Sequence, residues 1–73
     1  MSNQEIGNNI SKRIIEYDNV NNLSLKEVFK LFFSEYEDLE LDEDIILIQV
    51  VSFLSREGYD IVSTHPFKLK RYK

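Results

Sequence analysis

Seven of the ten residues from Glu35 to Asp44 are carboxylic acids, and none is a base. Asp38, Glu40 and Asp42 alternate as the first oxygens of an EF-hand calcium loop do. Such a loop also needs glycine at its sixth position and glutamate at its twelfth. Glu43 and Gln49 stand there instead, so the block reads as a solvated linker whose charges favour the positive end of a following helix. His65 is the only histidine, set between Thr64 and Pro66 in a turn. Acid–base chemistry there would need a nucleophile or carboxylate brought to it by the fold. The only glycines are Gly7 and Gly58, too few for a phosphate loop. The absence of cysteine excludes disulfides and thiolate metal sites. No catalytic residue, metal ligand, cofactor or small-molecule substrate is assigned, and an enzyme is not expected.

The other charged feature is the tail. His65 to Lys73 holds four cations and no acid. Lys68, Lys70, Arg71 and Lys73 could contact phosphates, with Tyr72 available to stack on a base. The same alternation also suits the solvated face of an edge strand, where lysines discourage aggregation. The tail could equally meet the acidic block, in its own chain or in a second copy. Net charge is −4, and it divides into 0 for residues 1–34, −7 for 35–44, −1 for 45–64 and +4 for 65–73. Counterion-release binding to nucleic acid calls for a positive face, which only the tail supplies.

The elements that must position these groups follow from periodicity. Ile6, Ile10, Ile14 and Tyr17 recur at helical spacing, which predicts a first helix over about residues 4–17 with a first turn weakened by Gly7, Asn8 and Asn9. Asn19 to Asn22 read as a connector, and residues 19–23 as a possible short strand. Ser24 and Glu27 form an S-x-x-E capping box, with Leu23 and Val28 placed as a staple. That second helix is expected to run to residue 36–38. A third helix should start at an Asp42 N-cap, with Glu43 and Asp44 in its first turn. The run Ile45 to Leu54 is rich in β-branched residues, which favours a strand. The polar stripe Gln49, Ser52, Ser55 and Arg56, with Gly58 as a left-handed cap, favours a helix instead. A helix apolar on most of its circumference is expected to be the central, most buried element. Beyond Gly58 the period becomes two, and Tyr59–Ser63 and Phe67–Arg71 predict a β-hairpin turning at Ser63–Pro66.

This order of helix, short strand, helix, helix and hairpin is similar to that of winged helix-turn-helix domains across most of the chain. That resemblance implies a third helix entering the DNA major groove by its N-terminal end. Here that end is Asp42, Glu43 and Asp44, which would face a polyanion, and base-reading side chains are scarce along the helix. Groove reading by this helix is therefore disfavoured, and phosphate contact by the hairpin alone would be weak and salt-dependent.

The expected fold is α+β: three helices followed by a C-terminal hairpin in one domain over residues 1–73, with an all-helical domain and ordered tail as the fallback. Its core should comprise Ile10, Ile14, Val28, Phe29, Phe32, Ile46, Val50, Phe53, Leu54, Tyr59, Ile61 and Leu69. Met1 to Glu5 carry no basic region leading into an apolar run, and no stretch approaches the length of a membrane span, so a cytoplasmic location is expected. A core this small leaves stability to capping or self-association. The expected function is a non-enzymatic interaction module that binds another protein, which could be a basic one, or a second copy of itself. Partner-binding candidates are Phe33, Glu35, Tyr36, Glu37, Asp38, Leu39 and Glu40, aromatics flanked by charge. The alternative is nucleic-acid binding through Lys68, Lys70, Arg71, Tyr72 and Lys73.

Overall fold

Three helices lead into a two-stranded antiparallel sheet, in a computed structural model that describes residues 2–17 and 22–72. The first helix, α1, spans Asn3–Glu16 and is closed at its start by the Ser2 hydroxyl, which accepts the Glu5 N–H at 3.1 Å. The weak formers Gly7, Asn8 and Asn9 thus lie inside the helix. Helix α2 covers Leu25–Phe33, and helix α3 covers Glu43–Arg56. Strands β1 (Tyr59–Thr64) and β2 (Phe67–Arg71) pair with Ile61 opposite Leu69, and the register shifts between Ile61 and Ser63. The expected order of helices and hairpin is the one observed, and the all-helical fallback is excluded.

Each helix start matches its cap. The Ser24 hydroxyl accepts the Glu27 N–H at 3.2 Å, and the Glu27 carboxylate accepts the Ser24 N–H at 3.1 Å. The Asp42 carboxylate accepts the N–H groups of Asp44 and Ile45 at 3.0 and 3.4 Å. Gly58 ends α3 with φ 86°, a conformation that a Cβ disfavours. The Ser24 backbone N–H, followed by the Ser24 hydroxyl, holds the Glu27 carboxyl below its ordinary value of 4.5. A depressed carboxyl stabilises the fold above that value, and the contribution fades as pH falls through the lower folded one. Ser24→Ala should cost about 1 kcal/mol in urea titrations at pH 7. It should also flatten the loss of stability seen on acidification below 4.5. Identical curves for variant and parent would mean that the cap is idle.

The C-terminal part of the second helix departs from expectation. Ser34–Leu39 tightens into a 3-10 helix ended by Glu40 in a left-handed conformation, φ 50°. Glu35, Glu37 and Asp38 would crowd negative charge onto the negative end of an α-helix, which disfavours its continuation. The Ser34 hydroxyl also donates to the Leu31 carbonyl at 2.9 Å.

Buried hydrophobics come from every regular element except the 3-10 helix and β1: Ile6, Ile10 and Ile14 of α1, Leu25, Val28 and Phe29 of α2, Ile46, Val50 and Leu54 of α3, and Phe67 of β2. Phe32, Phe53, Tyr59, Ile61 and Leu69, expected in the interior, are only half-buried, because a two-stranded sheet and three short helices leave their flanks open. Ile6, Leu25 and Phe67 take interior places that the expected core omitted. Helix α1 crosses α3 at close range through Gly7, where a Cβ would fall 2.5 Å from the Gln49 Cβ. One turn on, the buried Ser11 hydroxyl donates to the Gly7 carbonyl at 2.7 Å and reaches the Val50 carbonyl at 3.3 Å. The connector at Asn19–Asn21 lies outside the described residues. Leu23, the last position of the possible short strand, accepts the Phe67 N–H through its carbonyl at 2.8 Å, a backbone bond between that residue and β2.

Candidate interaction surfaces

The acidic block is built by the 3-10 helix and the turn into α3. Glu37, Asp38, Glu40, Asp42 and Asp44 are all exposed. Among the described residues, ion pairs within this block join Arg13 to Glu35 and Lys30 to Glu43, the latter at 3.9 Å. The Arg13 guanidinium also lies 4.6 Å from the Phe32 ring centre, so one side chain clasps α1 to α2 and to the 3-10 helix. Asp42 caps α3, while Glu37, Asp38, Glu40 and Asp44 are exposed and concentrate negative charge at this end. A shallow cleft of about 320 Å³ opens between them, with Phe33 and Leu41 among its apolar walls and Lys30, Glu37, Glu40 and Glu43 around it. Phe33 stacks on Phe29 at 5.2 Å and is half-buried, as is Tyr36. Leu39 is 53% exposed, and Leu31 of α2 is 49% exposed. Among the described residues, no group of three or more His, Asp or Glu side chains is placed to hold a metal ion.

Helix α3 corrects the expectation that it is the central, most buried element, since α1 buries five residues and α3 three. Only Ile46, Val50 and Leu54 are fully buried. Ile48 is 62% exposed, Ile45 43% and Val51 39%. These three form a row along the outward face, continued by the exposed Ser52 and Ser55. Asp44 stands at the row's N-terminal end and Arg56 at its C-terminal end, both exposed. Beside the C-terminal half, the exposed Tyr72 donates its hydroxyl to the Ser55 carbonyl at 3.3 Å. Ser52, Ser55 and Arg56 of the expected polar stripe therefore share the outward face with Ile45, Ile48 and Val51, whereas Gln49 is half-buried against α1 at Gly7. Two apolar rows run along this helix, and helical spacing alone does not tell the covered row from the bare one.

Comparison of the chain with protein-family models, characterised proteins and solved structures finds no match to any.

The hairpin cations are divided between two faces. Lys68 and Lys70 are exposed on the outer face, and Lys70 sits opposite Asp60 on β1. Arg71 is exposed on the face shared with Leu69, its guanidinium 5.8 Å from the Tyr59 ring centre. Lys73 lies outside the described residues. His65 is exposed in the turn, close enough to Glu27 to add to the attraction on that carboxylate. Among the described residues no helix is long and apolar enough to cross a membrane.

Proposed function

We propose that the chain is a small non-enzymatic protein-interaction module. In this reading the outward row of α3 supplies the contact, and the acidic end formed by Glu35, Glu37, Asp38 and Glu40 attracts basic partners. The observation that carries the reading is the exposure of Ile48, Ile45 and Val51 side by side on a capped helix. A lone exposed isoleucine is ordinary, whereas a contiguous row is what partner surfaces offer. Phe33, Tyr36 and Leu39 add partly exposed apolar surface around the acidic cleft.

The steering half is tested with a lysine-rich amphipathic peptide as the probe. Replacing Glu37, Asp38 and Glu40 by glutamine should slow its association about tenfold at low salt, with the difference vanishing at high salt. Unchanged rates reject the acidic site. The competing nucleic-acid reading rests on the exposed Lys68, Lys70 and Arg71. It requires a duplex oligonucleotide to shift the amide resonances of residues 65–72 in a salt-dependent way, with the α3 row unmoved.

A further inference from the structure

We infer that the occupant of the α3 row is a second copy of the same chain, docked antiparallel about a two-fold axis at the level of Val50; this rests on the reading of that row as a contact surface. The exposed positions of α3 are Asp44, Ile45, Ile48, Val51, Ser52, Ser55 and Arg56, with buried or half-buried residues at all its others. That set is almost symmetric about residue 50. Asp44 and Arg56 each lie six residues from Val50, Ile45 and Ser55 five, and Ile48 and Ser52 two. A two-fold contact places one surface patch against itself, so residue i meets residue j and j meets i. Antiparallel pairing about Val50 then sets Asp44 of each copy against Arg56 of the other. Ile48 and Val51 of both copies close the centre, and each Ile45 covers the opposing Ser55.

Charge decides the direction. A parallel arrangement would bring the two Asp42–Asp44 ends together and the two Arg56 ends together, placing like charges side by side. The antiparallel one pairs opposite charges twice, and it also opposes the two helix dipoles. Size decides the closeness. Ser52 and Ser55 are small, and their hydroxyls can turn back to carbonyls of their own helix when covered. Two such helices approach to about 8–10 Å between axes.

The area sets the strength. Helix α3 has 14 residues and is about 21 Å long. Standard stable interfaces take about 800 Å² from each partner. That would be a sixth of the 4806 Å² surface of this molecule, more than one helix face provides even with Tyr72 at its flank. The dimer is therefore a dissociable one, populated at high chain concentration.

Sedimentation equilibrium of the intact chain, run from micromolar to near-millimolar concentration, tests this. The average mass should rise towards twice 8.7 kDa with concentration. Ile48→Glu should hold it at the monomer value while circular dichroism shows the fold retained. Asp44→Arg and Arg56→Asp should each weaken association about tenfold, since each places two like-charged pairs at the seam. The double variant should restore it. A constant monomer mass, or a double variant no tighter than either single one, overturns the two-fold seam. If the monomer nevertheless shows amphipathic-peptide shifts on Ile45, Ile48 and Val51, the contact-surface reading stands and only its occupant changes.

Discussion

Phe29→Ala leaves the domain largely unfolded at 25 °C. Phe29 has no exposed surface and is the largest fully buried side chain, lying among residues of all three helices. It stacks on Phe33 at 5.2 Å with the ring planes 20° apart. Truncating a buried phenylalanine costs about 3–5 kcal/mol, from lost transfer energy plus the cavity left behind. A core of this size supplies only ~3–5 kcal/mol of net stability. The two quantities are equal in scale, so the variant has nothing in reserve. Far-ultraviolet circular dichroism without denaturant should show most of the helix signal lost. Phe53→Ala is the control: Phe53 is half-buried, and its truncation should leave a folded protein with a lower urea midpoint. A Phe29→Ala protein with a cooperative transition close to the parent would mean that the core is not centred on this ring.

Gly7→Ala destabilises the protein even though alanine is the better helix former. In a free helix the change would gain about 1 kcal/mol. Here the added methyl would sit 2.5 Å from the Gln49 Cβ, with the Gln49 and Val50 backbone at 3.4 and 3.5 Å behind it. A Cβ cannot swing aside as the tip of a long side chain can, so α1 and α3 must move apart. That separation also loosens the Ser11 hydroxyl from the Val50 carbonyl. Overpacking of this kind costs about 1–3 kcal/mol. The expected net result in urea is a lower midpoint, and Gly7→Ser should fall at least as far. A stabilised Gly7→Ala protein would show that the two helices do not cross at this point.

The local grammar of the fold was legible because caps and turns act through neighbours in sequence. Ser24 with Glu27, Asp42 before its helix and Gly58 after it announce three helix boundaries by side-chain chemistry alone, and each is present at hydrogen-bond distance or with the required φ. The change of period after Gly58 gave the hairpin in the same way. What spacing could not supply was the number of covered sides. Ile45, Ile48 and Val51 recur at spacings of three and Ile46, Val50 and Leu54 at spacings of four; both rhythms are helical, yet only the second row is fully buried. Deciding between them needs the count of elements available to cover a helix, and this chain has too few. Gly7 shows the converse error. Read by propensity it weakens a helix, yet with Ser11 four residues on, on the Ile6–Ile10–Ile14 side, it is the small-residue pair that admits α3. The 3-10 helix after Phe33 had a signal of its own, acids where the helix dipole is negative, set against an apolar spacing that ran on to Tyr36.

The acidic end and the α3 row are neighbours in sequence, and Asp44 belongs to both. Attraction of a basic group to Glu37, Asp38 and Glu40 would therefore deliver it beside the apolar row. In a second copy, the group delivered to Asp44 is Arg56. Steering and contact are then two parts of one surface, sensitive to salt in rate and to apolar truncation in lifetime.

The most direct measurement is methyl NMR of the isoleucines in dilute solution with a soluble paramagnetic agent. The structure predicts strong broadening of the Ile48 methyls, clear broadening of Ile45, and sharp signals from Ile6, Ile10, Ile14 and Ile46. Raising the chain concentration should then protect Ile48 and Ile45 selectively. Ile48 methyls as sharp as those of Ile46 at the lowest concentration would contradict the account, because the row would then lie inside the molecule and no partner could reach it.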